Sequence, residues 1–177
     1  MVYSDGTTQR NLSEKGQSQA REIGNAMRTL GIPVSEVISS PYCRCLETSW
    51  LAFGKKATPS LDLALAIRTT EAKALGFAKA LKRMLRTPPP AGTNTVLVAH
   101  TVNLKEAANI CPKPEGIVVA FKPGKNGDFA FVGMIKPDQW AGFVASTGDD
   151  IPEQVSQPYD RSKVCGAELR KLQTAAR

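Results

Sequence analysis

Asn94-Thr95-Val96-Leu97-Val98-Ala99-His100 is a short apolar run that ends on the chain's only histidine and opens a helix-like stretch, Thr101-Val102-Asn103-Leu104. A buried parallel strand that delivers a polar side chain at its carboxyl end is where open α/β sheets place their chemistry. One imidazole cannot be both nucleophile and electrostatic partner. Any second catalytic group must be of another kind, or be missing.

Outward from this run, helices and strands alternate. Ser13 is placed to cap a first helix, since Ala20, Ile23, Met27 and Leu30 recur at helical spacing before Gly31 and Pro33. Glu36-Val37-Ile38-Ser39 reads as a strand, and Tyr42 to Phe53 as a second helix stopped by Gly54. Leu61 to Ile67 reads as an extended apolar piece. Thr69 or Thr70 caps a third helix carrying Leu75, Ala78, Leu81 and Leu85, which Pro88-Pro89-Pro90 ends. Ile117–Lys122 and Phe129–Ile135 flank an Asn126-Gly127 hairpin turn, and Pro137 opens a helix holding Trp140 and Phe143. The expected fold is α/β: a mainly parallel sheet with helices on both faces and a C-terminal hairpin extending one edge. Residues 1–147 form this domain; residues 148–177 read as a polar, mobile tail with a closing helix at Ala167–Ala175.

The net charge of +7 resides in residues 1–147, which hold 18 bases against 11 acids, whereas residues 148–177 hold five of each. Such a domain favours anionic partners. Cys43, Cys45, Cys111 and Cys165 lack zinc-ribbon spacing, and no CxxC pair occurs. Unbridged thiols are expected, with a Cys43–Cys111 bridge left open. A single histidine argues against a metal site, and no cofactor loop, nucleic-acid module or membrane-spanning run is evident. Met1 to Gly6 has neither the basic nor the apolar region of a signal peptide, so the sequence as written reads as cytoplasmic.

Three segments resemble the histidine phosphatase superfamily, whose fold is phosphoglycerate-mutase-like. Leu12-Ser13-Glu14-Lys15-Gly16-Gln17-Ser18-Gln19-Ala20 is similar to its L-T/S-x-x-G-x-x-Q-A helix start. Val37-Ile38-Ser39-Ser40-Pro41-Tyr42-Cys43-Arg44-Cys45-Leu46-Glu47-Thr48 resembles its S-S-P-x-x-R-x-x-E-T element. Val96 to Leu104 resembles its second-histidine strand and turn. The likeness covers residues 8–145.

The resemblance implies a phosphomonoesterase-type hydrolase acting on a phosphorylated small molecule or phosphoprotein. Arg44 would clamp the phosphoryl group, its guanidinium fork suiting phosphate oxygens. His100 would donate to the same group, with Arg10 and Thr101 as further phosphate contacts. Glu71 is the candidate general acid, with Asp62 the other available carboxylate; Glu47 holds the arginine's loop. The family's Arg-His-Gly strand, which carries the nucleophile, has no counterpart before Leu12. The expectation is therefore a chain inactive as written, missing its first central strand. Upstream residues, the tail, a partner strand or an oligomer would fill that slot. If upstream residues are missing, secretion or a periplasmic location is open too. The alternative is a non-catalytic phosphate- or phosphopeptide-binding or interaction module of the same fold.

Overall fold

The computed structural model describes residues 3, 5–54, 57–67, 69–148 and 159–166. Helix α1 (Glu14–Thr29) starts where Ser13 accepts the Gly16 N–H and stops at Gly31, whose φ of 62° a residue with a Cβ rarely adopts. Strand β1 (Val34–Ser39) leads through Ser40-Pro41-Tyr42 into α2 (Cys43–Phe53), which Gly54 ends in the left-handed region. A two-residue strand, β2 (Thr58–Pro59), follows. Thr70 caps α3 (Glu71–Arg86) by accepting the Lys73 N–H. Then come β3 (Asn94–Val98), α4 (Thr101–Ala108), β4 (Val118–Pro123), β5 (Phe129–Ile135), α5 (Trp140–Ala145) and α6 (Arg161–Gly166).

The main sheet is parallel, in the order β2-β1-β3. Both faces are covered, as parallel sheets require. On one side Ile23, Ala26 and Met27 of α1 meet Trp140 and Val144 of α5, with Val34 and Val96 packed against them. On the other, Leu63, Leu81 of α3 and Ala107 of α4 pack with Ile38 and Leu97. Neighbours Val96 and Leu97 therefore serve opposite layers, the period-two signature of a strand. Helices α1 and α2 cross so closely that Gly24 faces the Ala52 carbonyl, and a Cβ there would lie 2.5 Å from the carbonyl carbon.

Three expectations change. The hairpin does not extend the parallel sheet: β4 and β5 form their own two-stranded sheet, and β3 keeps a free edge among the described residues. Val96, Val118 and Ile135 nonetheless pack on one core, so side chains hold the hairpin against the sheet. Residues Leu61–Leu63 form a 3-10 turn rather than an extended piece, because the Ser60 side chain accepts the Asp62 N–H and turns the backbone. Within the stretch read as a mobile tail, residues 159–166 are docked, with α6 against α2 and against the turn at Gly6–Thr8. The closing helix expected at Ala167–Ala175 lies outside the described residues. No helix among the described residues is long and apolar enough to cross a membrane.

Candidate active site at the carboxyl ends of β1 and β3

Parallel pairing of Ser39 with Val98 brings the ends of β1 and β3 side by side, and the Ser40 N–H extends the ladder to the Val98 carbonyl at 2.8 Å. Ser40 and His100 thus emerge as neighbours although sixty residues apart in sequence. The Ser40 hydroxyl lies 2.8 Å from His100 Nε2, and Arg44 Nη2 lies 2.9 Å from His100 Nδ1. A guanidinium can only donate, so Nδ1 accepts and Nε2 carries the ring proton, which it donates to Ser40 Oγ. Tyr42 stands edge-on to the imidazole with ring centroids 5.0 Å apart, and the Arg44 guanidinium lies 4.6 Å over the Tyr42 ring.

Burial, and secondly the Arg44 charge, push the His100 pKa down to about 3. The imidazole is neutral at physiological pH. Cys45, whose sulfur is 3.9 Å from His100 Nε2, is pushed up to about 12 by burial, against lowering by Arg44 and by a hydrogen bond from Ser40. It is a thiol, not a thiolate, and so a poor nucleophile. Arg44 has no carboxylate partner among the described residues: Glu47, its neighbour one turn on, pairs with Arg161. An uncompensated guanidinium therefore stands where helices α2 and α4 both begin, and their amino-terminal dipole ends add to its attraction for anions.

The other sequence candidates are distributed differently. Thr101 follows His100 as the half-buried first residue of α4. Arg10 is exposed and paired with Glu115. Glu71 is an exposed first residue of α3 with no contact to Arg44 or His100, and Asp62 pairs with Arg83 at 3.0 Å. The structure thus brings Arg44 and His100 together and leaves Arg10 and Glu71 outside their contacts.

Ser40, Tyr42 and Gln9 were not singled out by sequence. Ser40 and Tyr42 touch His100, and the Gln9 side chain accepts the Cys43 N–H at 2.9 Å, holding the first turn of α2. The signal for Ser40 was its place just past the end of a strand parallel to the one carrying His100. Asn103 buttresses from beneath: fully buried, it donates to the Ala64 carbonyl and accepts the Ala66 N–H, tying the 60s loop to α4.

Glu47 is fully buried and accepts from the Leu12 N–H at 3.2 Å, from Arg161 Nε at 2.6 Å and from the Tyr159 hydroxyl. Two of its three donors come from the C-terminal segment. Cys43 is bonded to Cys165 of α6, which corrects the expectation of unbridged thiols and excludes a Cys43–Cys111 bridge. Cys111 is exposed and Cys45 buried, both unbridged. The pairing escaped sequence reading because a separation of 122 residues carries no local signal. No group of three or more His, Cys, Asp or Glu among the described residues is placed to hold a metal ion.

Residues 4–66, about a third of the chain, match the family model described as histidine phosphatase superfamily (branch 1). The matched segment takes in Ser40 and Arg44 and ends before α3, β3 and His100. No curated protein and no solved structure matches the chain significantly.

Proposed function

From the premise that residues 4–66 carry histidine phosphatase superfamily sequence, with the phosphatase-like or related function that this supports, we propose that the chain handles phosphoryl groups as a phosphomonoesterase-type member. Its substrate is a phosphorylated small molecule or phosphoprotein. Arg44 and His100 hold the transferring group. The observation that carries the reading is the Arg44 guanidinium, lacking a carboxylate partner among the described residues and donating to a neutral, buried His100. Only one of its five N–H donors is engaged there, so the fork remains available to an oxyanion.

A bound dianion would do more than pair with Arg44. Its charge offsets the guanidinium that helps keep His100 neutral, so the imidazole pKa rises and Nδ1 becomes a second donor. Sulfate, a dianion throughout the neutral and acidic range, should therefore bind more tightly as pH falls. The proton is taken up with the anion, and linkage gives affinity that sign.

His100 is the chain's single histidine and is committed to Arg44 and Ser40. The phosphohistidine nucleophile is accordingly proposed to lie outside these 177 residues, on an upstream segment or a partner strand, with the edge of β3 that is free among the described residues as its docking place. The same fact favours a second reading, a phosphate- or phosphopeptide-binding module without turnover.

Hydrolysis of p-nitrophenyl phosphate and calorimetric titration with sulfate separate the two readings. The 177-residue chain alone should bind sulfate yet turn over little ester, and Arg44→Ala should weaken sulfate binding at least about tenfold, a loss of about 1.4 kcal/mol. Ester hydrolysis that survives both Arg44→Ala and His100→Ala would remove this site from consideration.

A further inference from the structure

Helix α6 touches α2 at two places one turn apart on each helix. Cys43 and Glu47 are i and i+4 on α2; Cys165 and Arg161 are i+4 and i on α6. Residues at that spacing share a helix face. The pairs run antiparallel, a disulfide at one rung and, at the next, an ion pair between the half-exposed Arg161 and the buried Glu47. Between the two α2 anchors, rotated off their face, sits Arg44. The same face is held from the other side by Gln9 on the Cys43 N–H and by Leu12 on Glu47, and Arg161 also donates to the Leu12 carbonyl at 3.3 Å.

We propose that residues 159–166 are a redox latch on the Arg44 site, with Arg161 and Cys165 as positioning residues. With the bridge closed, the first turn of α2 is fixed and Arg44 meets His100. With it open, that turn loosens and oxyanion affinity falls. The effect on affinity rests on the oxyanion reading of Arg44 and His100 given above.

The chemistry is thiol–disulfide exchange with a dithiol. One thiolate of the reductant attacks a sulfur of the bridge, forming a mixed disulfide with one cysteine while the other leaves as thiolate and takes a proton. The second reductant thiol then displaces the first cysteine, which is protonated in turn, as the reductant closes to its own disulfide. Two electrons and two protons pass to Cys43 and Cys165. Both cysteines are buried, so exchange waits on opening of α6. A six-residue helix has no independent stability, and it leaves as soon as its contacts do. Once the bridge is open, the side-chain hydrogen bonds of Tyr159 and Arg161 still tie the segment to the Glu47 carboxylate and the Leu12 carbonyl, and both residues share that one carboxylate.

The test uses the full chain, with its one histidine isotope-labelled so that the imidazole gives a unique nuclear magnetic resonance signal. Sulfate affinity and the His100 titration are measured in the oxidised chain, after treatment with dithiothreitol, and in Cys165→Ser. Opening the bridge should lower sulfate affinity about tenfold and raise the His100 midpoint by more than about one pH unit as Arg44 withdraws and water enters. Arg161→Gln, which keeps the bridge, should move both readouts in the same direction, and Arg161→Lys should recover part of the change. This variant pair decides the matter if Cys165→Ser does not fold. Unchanged affinity and titration in every reduced or substituted form overturn the latch, and leave the oxyanion reading standing if the oxidised chain binds sulfate. A His100 midpoint that moves on reduction, in a chain that binds no sulfate in either state, upholds the latch on Arg44 and refutes the oxyanion reading.

Discussion

His100 should make the protein acid-labile in a way that a single substitution can isolate. Its side chain is buried and its pKa held down to about 3 by burial and then by Arg44, against 6.5 when exposed. Between those values the unfolded chain binds a proton that the folded chain refuses. Stability therefore rises with pH across the window, is complete above about 6.5, and declines as acid is added. Each pH unit within it is worth about 1.4 kcal/mol. Moving from about pH 6.5 to about pH 4.5 should cost about 2 kcal/mol from this one group, and the whole window about 5 kcal/mol. His100→Asn removes the titration while retaining an amide that can donate to Ser40 and accept from Arg44. Urea unfolding of both proteins across this range gives the difference, in which the carboxylates common to both cancel. The wild type should lose its advantage over His100→Asn at about 1.4 kcal/mol per pH unit below about pH 6.5. A difference that stays flat, or an imidazole titrating near its ordinary value, would refute the burial and tautomer assigned here.

Further outcomes follow from packing and charge. Gly24→Ala places a methyl against the Ala52 carbonyl, with backbone on both sides, and should destabilise by about 3 kcal/mol, read as a lower urea midpoint with unchanged slope. Arg161→Ala leaves the fully buried Glu47 carboxylate with the Leu12 N–H and Tyr159 as its remaining donors, and should cost about 3 kcal/mol. Glu47→Gln in the Arg161→Ala background should recover much of that loss, because an amide carries no buried charge; failure to do so would sink the ion-pair account. Leu63→Ala empties a fully buried site between the 60s loop, α3 and α4 and should cost about 2–5 kcal/mol by thermal or urea melting.

Locally encoded features were legible in the sequence. Ser13 and Thr70 cap helices because their hydroxyls reach backbone N–H groups a few residues away, and Gly31 and Gly54 end helices because they tolerate positive φ. The alternating pattern placed β1 and β3, and the order of elements made their pairing parallel, so the neighbourhood of Arg44 and His100 was readable too. Arg10 pairs with Glu115 and Glu71 opens α3, positions that spacing along the chain did not indicate. An exposed arginine takes whichever acid the fold brings near, here Glu115 from the far side of the chain.

Residues from 12 to 135 settled their own helices and strands through short-range hydrogen bonding and apolar periodicity, and they brought a guanidinium and an imidazole to one end of the sheet. Tertiary packing alone decided that Cys43 bonds Cys165, that Glu47 is neutralised by Arg161, that the hairpin stands apart from β3, and that Arg44 donates to Nδ1 of His100. Those outcomes depend on which distant groups lose water together. A buried charge or thiol accepts whatever partner arrives with it, and no spacing along the chain records that choice.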